Sequence, residues 1–160
     1  MLAHSSQADH RQRVDGLVRR WLDERKTLIT QEQSLHAALA AGADAALLAR
    51  HLAAFCQTLM DYVSAGHFEV YDELLDEAER RQALPAAAGQ ALMARLQTTT
   101  DAAIRFNELC EDPHSAAAQA CLARELPILR LELESRFQTE DRLLALLHES
   151  RESPPPGSRP

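Results

Sequence analysis

Apolar residues recur three, four and seven positions apart through most of this chain, and that spacing leaves little room for anything but helices. Leu47, Leu48, Leu52, Phe55, Leu59 and Val63 form one such series, and Leu122, Leu126, Leu129, Leu133, Phe137, Leu144 and Leu147 form another. At 3.6 residues per turn each series gathers on one side of a helix. No alternation of period two runs long enough for a strand. Val, Ile and Thr together number only fourteen, while Ala and Leu dominate an apolar fraction of 46%, which disfavours sheet. A chain of 160 residues suffices for one hydrophobic core. Amphipathic helices with short connections bury their stripes only against one another, so the expected fold is all-α, an up-and-down helical bundle.

Local signals place the element ends. Asp9 is a candidate cap for a first helix bearing Val14, Leu17, Val18, Trp21 and Leu28, and residues 31–41 form a weaker amphipathic stretch that Gly42 can close. Asp44 opens the next helix. Gly66 falls inside it and predicts either a kink or a close approach, after which Phe68, Tyr71, Leu74, Leu75 and Ala78 resume the pattern. Pro85 suits the first turn of a helix carrying Leu92, Leu96, Ile104, Phe106 and Leu109, with a soft spot at residues 97–100 and a break at Glu111, Asp112 and Pro113. Ser115 caps a last helix approaching thirty residues, which Pro127 is expected to kink. Residues 9–150 are thus read as one domain, with flexible tails at 1–8 and 151–160. Trp21, Phe55, Leu59, Leu74 and Phe137 are the expected core.

Several classes of function fit poorly. No apolar run reaches the roughly 18 residues that a membrane span needs, and the first residues do not read as a secretion signal, so a cytoplasmic protein is expected. Cys56, Cys110 and Cys121 are widely spaced and odd in number, as reduced thiols are. A formal charge of −7 argues against direct nucleic-acid binding and for a basic protein partner.

The distribution of that charge is informative. Between Arg50 and Arg80 there is no Lys or Arg, yet Asp61, Glu69, Asp72, Glu73, Asp76, Glu77 and Glu79 all lie there. On an unbroken helix Glu69, Asp72, Glu73, Asp76 and Glu77 make one anionic ridge. A solvated outer face normally mixes signs; this one repels itself. Asp61, Ser64, Phe68 and Asp72 also share a side on such a helix, which suits an aromatic anchor ringed by polar groups. The same spacing suits a buried Phe68 with Asp61 at its edge.

These residues carry a resemblance. The segment FCQTLMDYVSAGHFEVYDEL at 55–74 closely resembles the D-Y-x-S-A-G-H-F-x-x-Y signature of the Rsd/AlgQ family of bacterial anti-sigma factors. Arg20-Trp21-Leu22 with Arg25, Phe106-Asn107, Arg136-Phe137, Glu140-Asp141 and Leu143 add supporting matches, in order, over roughly residues 10–150. The resemblance implies a helical bundle that binds region 4, the promoter-recognition domain of the housekeeping sigma factor, and keeps it from core polymerase and the −35 element. It also implies sigma contacts at Asp61, Ser64 and Phe68. With Glu69, Asp72 and Asp76 from the ridge, these are the expected partner-binding residues. The expected molecule is a monomer without cofactor or catalysis. The alanine-rich connection at 40–46, Pro127 and the proline-rich tail depart from the family pattern.

Three rivals are weaker. A histidine phosphotransfer protein would use His67 as phosphoacceptor, but Phe68 and Glu69 follow it where small residues and a lysine would serve phosphate. A carboxylate-bridged di-iron bundle needs Glu-x-x-His twice; the one such spacing, Glu111 to His114, spans a helix break. Cys110, His114 and Cys121 lack an evident fourth zinc ligand. The third is a helical adaptor whose partner is some other basic protein.

Overall fold

The computed structural model describes residues 2–82 and 84–152, apart from the side chains of residues 2–5, 68 and 150. Helices α1 (Leu2–Ala40), α2 (Ala45–Ala65), α3 (Tyr71–Arg80), α4 (Ala86–Leu109) and α5 (Ala116–Glu152) follow one another, with a π-helical turn over Gly66–Val70 joining α2 to α3. They form an up-and-down bundle in which α1 packs on α2, α4 on α5, α2 on α4 and α3 on α5. Residues 153–160, most of the expected C-terminal tail, lie outside the described residues.

The first helix is longer than expected. Asp9 lies inside it rather than capping it, and residues 31–41 continue it instead of forming a separate segment. Neither a proline nor a second glycine after Gly16 interrupts the chain before Gly42, and Val14, Trp21, Leu28 and Leu35 are all buried at intervals of seven. That repeat keeps one seam of α1 on the core along its length. Gly42 closes it in the left-handed region, φ 67°, with the Ala43 amide reaching the Ala38 carbonyl at 3.0 Å and the Gly42 amide the Leu39 carbonyl at 3.2 Å. This is a Schellman ending. Asp44 then caps α2, its Oδ1 accepting from the Leu47 amide at 2.8 Å.

Of the expected core, Trp21, Phe55, Leu59 and Leu74 are buried, and Phe137 is partly buried against them. Phe55 meets Phe106 edge-on across α2 and α4, ring centroids 5.8 Å apart. The soft spot at 97–100 is not soft. Thr99 and Thr100 are buried in an unbroken α4 because each accepts a hydrogen bond from Arg136. Ser115 caps α5 as expected, its Oγ accepting from the Ala118 amide at 3.0 Å. Helix α5 runs 37 residues, continuing through Pro127. Pro127 and Ala123, whose carbonyl loses its usual donor there, are both exposed, so the missing bond falls on the solvent side of the helix.

Candidate functional site

The acidic segment occupies the end of α2, the π-helical turn and α3. A π turn spends one residue more than an α turn, so the side chains after it are set back by about 100° relative to an unbroken helix. Asp72 and Asp76 then fall within about 20° of Ser64 instead of about 80° and 120° away, while Glu73 and Glu77 move to the flank. The observed exposure follows this arithmetic: Asp61, Ser64, Glu69, Asp72 and Asp76 face solvent.

The continuous ridge of five carboxylates is therefore corrected to a split arrangement. Glu77 is only 6% exposed and takes Arg151 in a two-pronged pair, Nε to Oε1 at 2.9 Å and Nη2 to Oε2 at 3.2 Å. Glu73 accepts from Arg13 at 3.0 Å. Those cations come from α1 and α5, which sequence proximity could not show. Asp76 pairs with exposed Arg80, 3.3 Å away on the same helix. The outward line keeps its negative character.

A carboxylate not expected at this face joins it. Burial, followed by the charges of Asp61 and Glu69, holds the Glu24 carboxyl above its ordinary range, so α1 brings a third acid up to the α2 end and the turn. Its sequence signal was present: Glu24 stands three residues after Trp21 and four before Leu28, at the border of the apolar seam. The Phe68 side chain, expected as the aromatic anchor, lies outside the described residues. His67 is half-buried within the π turn.

Beneath this face lies a buried polar cluster. Glu140 is fully buried and accepts from the Tyr62 hydroxyl at 2.5 Å and from the Tyr71 hydroxyl. Arg25 donates to Glu140 Oε1 at 3.0 Å, to the Tyr62 oxygen at 3.1 Å and to Asp141 at 2.6 Å. Arg136, also fully buried, has its Nε 3.2 Å from Glu140 Oε2, an ion pair in which the N–H is not aimed squarely at the oxygen. Its other nitrogens donate to Thr99, Thr100 and the Val63 carbonyl. Trp21 stacks on Tyr62 with centroids 5.6 Å apart. The scattered matches at Trp21, Arg25, Arg136 and Glu140 thus meet the central segment at one place. Periodicity alone could not find this cluster, since it carries no information about which polar residues turn inward.

The free thiols of Cys56 and Cys110 are pushed up by burial to about 12 and about 11, so they stay protonated. Among the described residues no three His, Cys, Asp or Glu side chains group as a metal site, and no helix is long and apolar enough to cross a membrane.

Comparison with known proteins agrees with the resemblance in the central segment. The family model for the regulator of RNA polymerase sigma(70) subunit, Rsd/AlgQ, matches residues 1–148. The chain is 33% identical over 146 residues to the regulator of sigma D of Enterobacter sp. (strain 638), 84% of each chain. It is 31% identical over 153 residues to the proteins of that name from Salmonella paratyphi B and Salmonella newport, covering 87% of this chain and 88% of theirs. No solved structure matches.

Proposed function

Since the chain belongs to the Rsd/AlgQ family of regulators of the RNA polymerase sigma(70) subunit, we propose that it binds region 4 of the housekeeping sigma factor and withholds it from core polymerase and the −35 element. The observation that supports this most directly is the line of exposed Ser64, Asp72 and Asp76, with Asp61 and Glu69 beside it, which runs from the family's signature segment on into α3. A helix-turn-helix that reads promoter DNA is basic on the surface that meets phosphate. An anionic face competes for that surface with DNA, speeds encounter and repels nucleic acid itself. Phe68 is assigned as the desolvated anchor that slows dissociation. The protein acts stoichiometrically in the cytoplasm, as a monomer, without cofactor or catalysis.

The test is a titration of the full chain with purified sigma region 4, with and without −35 promoter DNA. Binding that the DNA displaces, with an association rate that falls as salt rises, supports the reading. No binding to region 4 sinks it and leaves an adaptor for a different basic protein. Binding unaffected by DNA removes the competition with the −35 element.

A further inference from the structure

We infer that Tyr71, Arg136 and Glu140 are positioning residues which, packed against the bare face of Gly66, hold the π-helical turn in the register that aligns Asp72 and Asp76 with Ser64. The inference rests on the sigma-binding reading for its functional meaning, though its structural half stands apart from it.

A turn of five-residue spacing has poorer geometry than the helix on either side and persists where its surroundings over-determine it. Here the surroundings are specific. A Cβ on Gly66 would lie 2.9 Å from both the Tyr71 Cζ and hydroxyl oxygen and 3.2 Å from Arg136 Nη2. Tyr71 is itself the first residue after the turn, and its amide donates to the Gly66 carbonyl across five residues. Its ring meets Trp21 edge-on at 5.9 Å, and its hydroxyl is fixed on Glu140. Arg136 donates at 3.4 Å to the Val63 carbonyl, just upstream of the point where the ladder changes spacing. The segment before the turn and the segment after it are thus tied to one pair of charges on α5.

Apolar residues of similar volume often replace a buried ion pair with no loss of stability. A charged, multiply hydrogen-bonded cluster differs from apolar filling in accepting one geometry only. That geometry fixes the angle between α2 and α3 side chains. Slippage of the turn to ordinary α spacing swings Asp72 and Asp76 by about 100° away from Ser64.

The experiment compares Tyr71→Phe and Glu140→Gln with Leu122→Ala, a core truncation on α5 fourteen residues, about 21 Å of helix, from Arg136. All are assayed on the full chain, at a temperature where circular dichroism shows each folded, for affinity to sigma region 4 and for amide exchange at residues 66–70. Tyr71→Phe is expected to weaken binding about fivefold or more, the lower end of ordinary coupling between separate sites, and to speed exchange in the turn. Leu122→Ala is expected to leave both unchanged. Equal weakening by Leu122→Ala assigns the effect to global stability and overturns the inference, as does wild-type binding and exchange in Tyr71→Phe. Should Glu140→Gln fail to fold, Tyr71→Phe carries the comparison. If the wild-type chain does not bind region 4, the sigma reading fails on its own, while unchanged exchange at 66–70 still sinks the positioning role.

Discussion

The Tyr71 hydroxyl oxygen lies 2.9 Å from the point where a side chain on Gly66 would begin. Gly66 has an ordinary helical backbone, φ −58° and ψ −52°, so it is glycine for space and not for conformation. Gly42 is the reverse, with φ 67° and nothing within 4 Å of its missing Cβ. Gly66→Ala gains about 1 kcal/mol of helix propensity and loses about 1–3 kcal/mol to overpacking. The expected net is a destabilisation of about 1 kcal/mol, read as a lower urea midpoint, with altered fluorescence from Trp21, the sole tryptophan, which packs on Tyr71. Gly42→Ala is expected to cost about 1–2 kcal/mol through its backbone and leave that fluorescence alone. A more stable Gly66→Ala protein would show that the Tyr71 ring yields.

How much of this was legible in the sequence differs residue by residue. Leu47 through Val63 and Leu122 through Leu147 announced their helices, because burying one stripe requires one period. Gly42, Asp44 and Ser115 marked their boundaries by chemistry that acts within four residues. Gly66 offered a kink or a close approach, and the structure has an irregular turn and a close approach together. What stayed hidden depends on partners far along the chain. The inward turn of Glu77 comes from Arg151, 74 residues away, and the burial of Thr99 and Thr100 from Arg136. The acidic face was half legible: its residues were named, but the helix assumed beneath them lacked the extra residue of the π turn.

The phenols of Tyr62 and Tyr71 give a pH dependence with a definite sign. Burial, with Glu140 beside them, raises both pKa values. The folded chain therefore keeps protons that the unfolded chain releases near pH 10. Stability is fully present below that pH and is lost as pH rises above it, by up to about 1.4 kcal/mol per pH unit for each phenol. These are the only two tyrosines in the sequence. Tyrosinate absorbance in an alkaline titration is expected to rise only in step with loss of helical circular dichroism. Tyr62→Phe should halve both the absorbance change and this contribution to the slope. Tyrosinate appearing ahead of unfolding would place a phenol in contact with water.

Two arginines near the end of α3 are expected to differ in worth. Arg151 is largely buried and bonds Glu77 and, at 2.6 Å, Asp15, tying α5 to α3 and α1. Removing it leaves the buried Glu77 carboxylate to the longer, 3.6 Å contact with the more exposed Arg81, so Arg151→Ala is expected to cost about 2–4 kcal/mol. Arg80 pairs with exposed Asp76 one turn away, and Arg80→Ala is expected to cost less than about 0.5 kcal/mol. Chemical denaturation of the two variants reads the contrast directly. Equal costs would mean that the α5 end does not clamp α3.

The division of the acidic segment makes its sharpest prediction in binding kinetics. Asp72 and Asp76 lie on the outward line, whereas Glu77 is buried against Arg151 with its charge already compensated. Charges that steer an encounter act through solvent, where screening reaches about 8 Å at 0.15 M salt. Asp72→Asn with Asp76→Asn is therefore expected to lower the association rate with sigma region 4 and flatten its salt dependence, leaving dissociation nearly unchanged. Glu77→Gln should do the opposite, lowering stability while association stays as in the wild type. Phe68→Ala is expected to act on dissociation, with a loss of about 2 kcal/mol or more of binding and an intact fold. Stopped-flow association at several salt concentrations separates the three. If Glu77→Gln slowed association as much as the paired aspartate change, the partner would be meeting the whole segment, and the alignment set by the π turn would not matter to recognition.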